Sequence, residues 1–168
     1  MESRTTRFEA HLIDGVLALD AGSLTRTLTF KEQAQVRVIL LSHRHFDHVR
    51  DLLPLGLALH DRGGTVDVYG IQDTIDFVST RLLDGSLYPD LVRIPNSENP
   101  VVHLHTIDYL QPFQILDYAV TAVPVPHSGP QPVTSYPRRA ARSFTLVTPA
   151  GDWRAPGSTY PLALCSLR

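Results

Sequence analysis

Four residues whose side chains bind metal ions lie within one short stretch of the chain. Three histidines and an aspartate fall within six consecutive positions, as His43, His45, Asp47 and His48. Imidazole and carboxylate are the usual protein ligands of borderline divalent cations such as zinc. Placing so many of them in one loop is costly unless a cation neutralises and orients them. The stretch therefore predicts a metal site.

The element before this stretch would position it. Val36 to Leu41 is apolar and rich in β-branched residues, which predicts a buried strand. Ser42 to His48 would then be the loop at the carboxyl end of that strand, where α/β sheets place their sites. In an extended segment, His43 and His45 project to the same side and can bind one ion together. The aspartate and the last histidine follow where the chain turns into a helix, which suits a second ion about 3.5–4 Å from the first.

Apolar periodicity along the chain predicts alternating strands and helices. The first two strands, Phe8 to Ile13 and Val16 to Asp20, are joined at Asp14-Gly15, a pair favoured in tight hairpins. After the metal loop we predict a helix, a strand, a second helix, a long loop and another strand. In that order they are Val49 to His60, Thr65 to Tyr69, Gln72 to Leu83, Asp84 to Pro100 and Val101 to Asp108. This alternation predicts an α/β fold.

The spacing His-x-His-x-Asp-His after a strand resembles the signature of the metallo-β-lactamase superfamily. His43, His45, Asp47 and His48 match that signature in full. The resemblance implies an αββα sandwich of two similar halves, of which this chain supplies essentially the N-terminal αβ half. It also implies zinc, with two ions in an intact member and about one here, and with Mn²⁺ or Fe²⁺ as alternatives.

Two further elements carry the resemblance, which covers about Phe8 to Ser128. The run Leu17-Ala18-Leu19-Asp20-Ala21-Gly22 resembles the superfamily's strand ending in Asp-x-Gly. Asp20 would then support the site without binding metal, and a turn carboxylate is the alternative. The apolar strand beginning at Tyr118 leads to His127, which the resemblance makes the third histidine of the first ion. It also makes Asp47 the catalytic residue that orients the attacking water.

The chain departs from the family pattern after His127. A strand ending in Gly-Asp-Thr-Gly, which supplies a bridging aspartate, and a later histidine are not recognisable in the sequence. Asp152 stands at a comparable separation and is a metal candidate, but no clear strand of the expected sequence precedes it. We therefore interpret residues 1–128 as a metal-binding half-domain and residues 129–168 as an atypical tail rich in Pro and Arg.

The composition of this tail is common when GC-rich DNA is translated in a wrong frame. Leu146-Val147-Thr148-Pro149-Ala150 can be encoded by CTG GTG ACA CCG GCC, and starting two bases later the same string encodes Gly-Asp-Thr-Gly. We therefore hypothesise a change of reading frame between Ser128 and Leu146. An early stop in the shifted frame of the gene, or the lack of a later histidine there, would exclude this hypothesis.

Composition limits the broad class of protein. With 168 residues, 43% hydrophobic and 19% charged, the chain is typical of one globular domain. A formal net charge of −2 gives no reason to propose a surface that coats nucleic acid. The single cysteine, Cys165, excludes an internal disulfide and agrees with a reducing compartment. No apolar run approaches the roughly 20 residues that span a membrane, and no signal segment is recognisable, so we expect a cytoplasmic protein.

Other histidines are interpreted as structural or exposed. His103 and His105 share one face of their predicted strand, but no carboxylate or third histidine accompanies them in the sequence. We therefore interpret them as a solvated strand face. His11 and His60 are likewise interpreted as structural or exposed residues.

Within the superfamily, the sequence looks most like the phosphodiesterase branch, which includes ribonuclease Z-like enzymes and class II cyclic-nucleotide phosphodiesterases. The resemblance implies a zinc-dependent hydrolase that cleaves a small-molecule or nucleotide phosphodiester by a metal-bound hydroxide. Two alternatives stay open. One is a thioester, lactone or lactam hydrolase of the same superfamily, and the other is a truncated zinc-binding fragment with impaired turnover, favoured by the missing ligands. The uncovered face of a half-sandwich would be apolar and would favour a homodimer.

Overall fold

The computed structural model describes residues 8–125 and 143–149. Its strands are β1 (His11–Ile13), β2 (Leu17–Leu19), β3 (Val38–Leu40), β4 (Val66–Gly70), β5 (Val102–Thr106), β6 (Phe113–Ile115), β7 (Tyr118–Val125) and β8 (Ser143–Pro149). Its helices are α1 (Leu24–Thr27), α2 (Phe30–Gln33), α3 (Phe46–Val49), α4 (Leu52–His60) and α5 (Gln72–Phe77), which continues into a π-helical segment, Val78–Leu82. The chain divides into two compact units, Met1–Asp108 and Tyr109–Arg168. The boundary predicted at residue 128 lies outside the described residues.

The first unit is built on a sheet of five strands in the order β1-β2-β3-β4-β5. β1 and β2 form an antiparallel hairpin, and the other neighbours in this sheet are parallel. The predicted turn is confirmed, since Asp14 and Gly15 have φ of 49° and 75°. Parallel strands joined by helices make this an α/β fold, as the sequence predicts.

One face of this sheet packs against the helices. Alternation along β4 buries Val66 and Val68 and leaves Asp67 and Tyr69 partly exposed. The buried side joins a core cluster with Ile39 of β3 and with the apolar side chains of α4, which include Leu52, Leu55 and Leu59. Fully burying one such leucine contributes about 1.5–3 kcal/mol to the hydrophobic free energy of folding.

The opposite face of the sheet corrects one expectation. In the parallel register, Leu17 pairs with Val38, and Leu40 pairs with Tyr69, so these four side chains share a face. We expected that face to be apolar and uncovered, yet Leu17, Val38 and Leu40 are only 0–3% exposed. Along β4 and β5 the same face is polar. The predicted homodimer itself is not tested by these burial values and stays a prediction.

The second unit contains a sheet in the order β6-β7-β8. β6 and β7 are antiparallel, and β7 and β8 are parallel, with Ala119 opposite Ser143 and Val125 opposite Pro149. The sequence shows no clear strand with the expected family sequence before Ala150. The structure forms a strand there, β8, although its sequence is not the expected one. Thr145 and Val147 are β-branched residues that favour strands, and the density of prolines in this region masked the pattern.

The helices differ from the prediction mainly at their ends. The predicted helix over Val49 to His60 begins three residues later, at Leu52, because a separate turn of helix, α3, precedes it. The loop predicted over Asp84 to Pro100 is confirmed, since it contains no helix or strand. Within the described ranges, no helix has the length and apolar composition needed to cross a membrane.

Candidate metal centre

The candidate metal loop lies between β3 and α3. β3 ends at Leu40, and Ser42 to His45 follow in extended or irregular conformation. His45 is the residue before α3, with φ of −63° and ψ of 146°, so Asp47 and His48 lie in the first turn of that helix. The predicted strand, loop and helix order around the motif is therefore confirmed.

The chain after β2 forms the floor of this loop. Ala21 N–H donates to the His48 carbonyl at 2.7 Å, and Asp51 N–H donates to the Ala21 carbonyl at 2.7 Å. Glu9 N–H donates to the carbonyl of Asp47 at 3.1 Å, and Gly22 N–H donates to the carbonyl of Glu9 at 2.8 Å. These backbone bonds hold α3 against the residues that follow β2, so the position of the metal loop depends on the hairpin at the start of the chain.

Asp20 lies behind the loop and contacts it through both carboxylate oxygens. Its Oδ1 accepts from the backbone N–H of Ser42 at 2.8 Å, and its Oδ2 accepts from Nδ1 of His48 at 2.8 Å. Both oxygens lie within 2.9 Å of the Ser42 hydroxyl. Asp20 is only 7% exposed. A buried carboxylate that bonds one ring nitrogen of a histidine leaves the other nitrogen to face a ligand, which is how carboxylates support metal-binding histidines.

The imidazole rings of the motif lie against one another. Nε2 of His43 is 2.9 Å from Nδ1 of His45, and the ring centroids of His43 and His48 are 4.0 Å apart. Nε2 of His48 lies 3.6 Å from a carboxylate oxygen of Asp47. Folding thus brings all four residues of the motif into one place at the carboxyl end of β3.

These side chains fit a divalent cation in their chemistry. Two nitrogens bound to one tetrahedral zinc lie about 3.3 Å apart, given zinc–nitrogen distances of about 2.0–2.1 Å. The 2.9 Å between the nitrogens of His43 and His45 is close to that separation. As they stand, no three His, Cys, Asp or Glu side chains in the described residues form a group that could hold an ion. His127, predicted to be the third histidine of the first ion, and Asp152 lie outside the described residues.

The electrostatics of His48 differ from those of an exposed histidine. Its side chain is 16% exposed, and burial alone, the largest single effect, lowers its pKa. The hydrogen bond to Asp20, together with the charges of Asp20, Asp47 and Glu9, outweighs burial and raises the pKa of His48 above its usual 6.5. Without a cation, His48 therefore takes up a proton more readily than an exposed histidine does, and a cation binding there would compete with that proton.

This shift predicts a pH dependence of stability for the protein freed of metal by a chelator. A folded-state pKa above the unfolded value stabilises the fold fully below about pH 6.5, and this stabilisation is lost as pH rises through the raised folded value. We expect the stability advantage of wild type over His48→Gln to shrink as the pH rises above about 6.5. Urea denaturation of both proteins below and above that pH measures it. An advantage that grows with pH would show that the pKa of His48 is not raised in the folded protein.

A buried aspartate that the sequence analysis did not single out supports the loop from behind. Asp51 is 1% exposed, and its Oδ2 accepts from the backbone N–H and the hydroxyl of Thr25 at 2.7 and 2.8 Å. Its Oδ1 accepts from Nε of Arg50 at 2.8 Å. Asp51 lies three residues after His48, just beyond α3, so it ties the end of that helix to α1. A carboxylate in an otherwise apolar stretch was the available signal.

Asp51→Asn is expected to lower the free energy of unfolding by about 1–2 kcal/mol, because one end of the side chain can no longer accept a hydrogen bond. Chemical denaturation measures the loss. The matched control is Asp84→Asn, where the carboxylate is exposed and accepts from Ser86 N–H within the same turn. A change of less than about 0.5 kcal/mol is expected there. Equal effects of the two substitutions would contradict the structural role of Asp51.

An ion pair with α5 also holds the metal loop. Arg44, between the first two histidines, forms an ion pair with Asp73 of α5, and its guanidinium lies 5.9 Å from the ring centroid of Phe77. Both charged side chains are largely exposed, so this pair contributes little free energy. It nevertheless links the metal loop to a second helix, which the sequence did not predict.

His103 and His105 lie beside a carboxylate of the neighbouring strand, which the sequence did not predict. Nε2 of His105 lies 2.6 Å from Oδ1 of Asp67, and its ring stacks on Tyr69 with centroids 4.4 Å apart. Asp67 is opposite His103 in the β4–β5 register. The statement that no carboxylate accompanies these histidines is therefore wrong, because the carboxylate comes from the neighbouring strand. His103 and His105 are both partly exposed, and their interpretation as a solvated strand face stays a prediction.

No curated protein matches the chain. Unliganded yeast PDE1 is 15% identical with a TM-score of 0.47, covering 53% of this chain and 24% of that one. YhfI from Bacillus subtilis, a metallo-beta-lactamase fold protein, is 16% identical with a TM-score of 0.49 over 70% and 44% of the two chains. Zn²⁺-bound PqqB from Methylobacterium extorquens is 17% identical with a TM-score of 0.43 over 68% and 47%.

This chain thus spans between about a quarter and about half the length of these solved structures. The sequence model of one family, described as a beta-lactamase superfamily domain, matches residues 11–150, which is most of the chain. That match includes the hairpin, the metal loop and the sheet described above. The protein therefore belongs to the beta-lactamase superfamily and has the α/β architecture of the N-terminal half of the metallo-β-lactamase fold.

Proposed function

We propose that this protein is a zinc-dependent hydrolase that cleaves phosphodiesters. The observation that carries the proposal is the convergence of His43, His45 and His48 at the end of β3, with Asp20 oriented behind them. Membership of the superfamily makes a hydrolase the expected class of protein. The phosphodiester substrate rests on the resemblance of the sequence motifs to the phosphodiesterase branch, and a small-molecule or nucleotide diester is the class that we propose.

His43, His45 and His127 would hold one cation, and Asp47 with His48 would help to hold a second. When bound there, zinc supplies a Lewis acid that polarises a phosphoryl oxygen and lowers the pKa of water to about 7. The protein's own contribution is orientation. Asp20 holds the ring of His48 through Nδ1 at 2.8 Å, so that Nε2 is turned towards Asp47. The cation would therefore meet a histidine whose ring is already in place.

Asp47 is the residue that we propose for proton transfer. Its side chain is 51% exposed, in contrast to that of Asp20, so it can reach a water beside the substrate. A carboxylate in the first turn of a helix with one oxygen 3.6 Å from an imidazole can orient an attacking water and accept its proton. Asp20, which is buried and already accepts several hydrogen bonds, cannot take that role.

A second candidate function is zinc binding without turnover. It is favoured by the sequence, in which the bridging aspartate and the later histidine of the family pattern are not recognisable. It predicts bound metal with no hydrolysis of any substrate. A hydrolase of thioesters, lactones or lactams is a further candidate, which the shared motif fits equally well.

Metal analysis and a substrate panel together test the proposal. We expect the purified protein to bind about one zinc per chain and to hydrolyse bis-p-nitrophenyl phosphate slowly, but faster than a thioester, a lactone or a β-lactam. His43→Ala should abolish zinc binding, whereas His60→Ala, at the end of α4, should leave it unchanged. Zinc without hydrolysis of any substrate would select the binding fragment. Failure to bind zinc at all would refute the proposal. Two tightly bound ions with fast hydrolysis would contradict the prediction of about one zinc and slow turnover.

A further inference from the structure

Ser42 precedes the first histidine of the motif, and its hydroxyl lies at the centre of the hydrogen bonds behind the loop. The hydroxyl oxygen is 2.9 and 2.8 Å from the two carboxylate oxygens of Asp20. It is also 3.0 Å from Nδ1 of His43 and 3.2 Å from Nδ1 of His48. Four polar atoms thus compete for one hydroxyl, which has a single proton to donate and two lone pairs to accept with.

The relative strengths of the possible hydrogen bonds decide which group accepts the proton of the Ser42 hydroxyl. A hydrogen bond to an ionised carboxylate is roughly twice as strong as one between neutral groups. The Asp20 carboxylate is also nearer to the hydroxyl oxygen than either ring nitrogen is. Ser42 therefore donates to Asp20, and its oxygen can only accept from the histidines. Two lone pairs cannot bond to each other, so a nitrogen at 3.0 Å from this oxygen must carry a proton.

We infer that Ser42 is a positioning residue that transmits the orientation of Asp20 to His43. Because Nδ1 of His43 donates to Ser42, a neutral His43 has its lone pair on Nε2, the nitrogen that lies 2.9 Å from His45. His48 obtains the same tautomer directly, since its Nδ1 is 2.8 Å from Asp20. One buried carboxylate thus sets the tautomers of two histidines, one by direct contact and the other through a hydroxyl group.

This inference extends the proposed function, since an imidazole binds a cation through the nitrogen that carries the lone pair. His43 and His48 are the proposed ligands of different ions, and Ser42 joins both to one carboxylate. Loss of a group that orients a metal-binding histidine typically weakens metal affinity about 10–100-fold. The Ser42 hydroxyl should therefore matter for metal affinity although it contacts no metal.

The test compares Ser42→Thr with Ser42→Val, two side chains of similar shape that differ by the hydroxyl. The full chain is labelled with ¹⁵N at its histidines, freed of metal by a chelator and held near pH 8.5. Long-range proton–nitrogen correlation spectra then report the tautomer of each histidine. We expect the Nδ1–H tautomer for His43 in wild type and in Ser42→Thr. In Ser42→Val, His43 should change to Nε2–H, while His48 keeps its tautomer because Asp20 still holds it.

Several results would overturn the inference. A wild-type spectrum with Nε2–H on His43 does so by itself, even if Ser42→Val does not fold. A folded Ser42→Val protein with an unchanged His43 tautomer does so as well. Zinc titration adds a separate measurement, in which Ser42→Val should bind zinc about 10–100-fold more weakly and Ser42→Thr as wild type does. If wild type binds no zinc, the proposed function fails, whereas the tautomer spectra still decide the role of Ser42.

Discussion

Replacing Asp47 by alanine is expected to lower phosphodiester turnover by about 10²–10⁴-fold, the usual contribution of a positioned proton-transfer group. Asp47 is the exposed carboxylate of the motif, and its oxygen lies 3.6 Å from His48 Nε2. Its removal leaves the histidines His43 and His45 in place, so zinc at the first position should remain bound. The expected signature is therefore a large fall in kcat with retained metal, measured by kinetics and metal analysis on the same preparation.

The control for Asp47→Ala is Asp61→Ala, an exposed aspartate that directly follows α4 and should leave turnover unchanged. Asp47→Asn separates two roles of the carboxylate, because asparagine keeps the size and one acceptor oxygen but cannot take a proton. We expect Asp47→Asn to lose nearly as much turnover as alanine. An unchanged rate in Asp47→Ala would refute the assignment of Asp47 as the catalytic residue.

Gly22→Ala is expected to give the largest loss of stability. A Cβ atom on Gly22 would lie 1.8 Å from the carbonyl oxygen of Asp47 and 2.7 Å from that of Glu9. Both obstacles are backbone atoms, so no side-chain rotation can relieve the clash. Either α3 moves away, or the hydrogen bond from Gly22 N–H to Glu9 breaks. We expect a loss of about 3 kcal/mol or more in the free energy of unfolding, at the upper end of overpacking effects.

Chemical denaturation with circular dichroism measures this loss, and zinc titration follows the displacement of the loop. Gly64→Ala is the matched control, since its nearest neighbour would be a terminal methyl of the Leu59 side chain at 3.2 Å, which can move. Gly64→Ala should cost less than about 1 kcal/mol. Gly22→Ala with wild-type stability and wild-type zinc affinity would mean that the contact between the Asp-x-Gly segment and the metal loop is not needed.

The fold was predictable where local patterns agree with tertiary packing. The hairpin at Asp14-Gly15 and the strand before the motif follow from turn chemistry and from apolar β-branched runs, and both are found. β8 was missed because its alternating residues stand among prolines that argue against a strand. The start of α4 was placed early because α3 and α4 read as one apolar periodic segment, and nothing in the local sequence separates them.

The candidate site was predictable as a set of residue types and not as a set of contacts. His43, His45, Asp47 and His48 are close in sequence, so their spacing alone brings them together on one loop. The partners of these residues come from elsewhere. Two helices and a strand separate Asp20 from the motif in the sequence. Its role could therefore be expected only from a family resemblance.

The sequence by itself determined the α/β class, the family and the identity of the motif, because each rests on short-range periodicity or on side chains a few residues apart. Only the tertiary structure decided which polar groups meet. It placed Asp20 against Ser42 and His48, Thr25 against Asp51, and Asp67 against His105. The physical reason is that hydrogen bonds between distant segments depend on strand register and loop closure, which no local pattern encodes. The β4–β5 register thus places Asp67 beside His105, and the closure of the metal loop on the end of β2 places Asp20 beside His48.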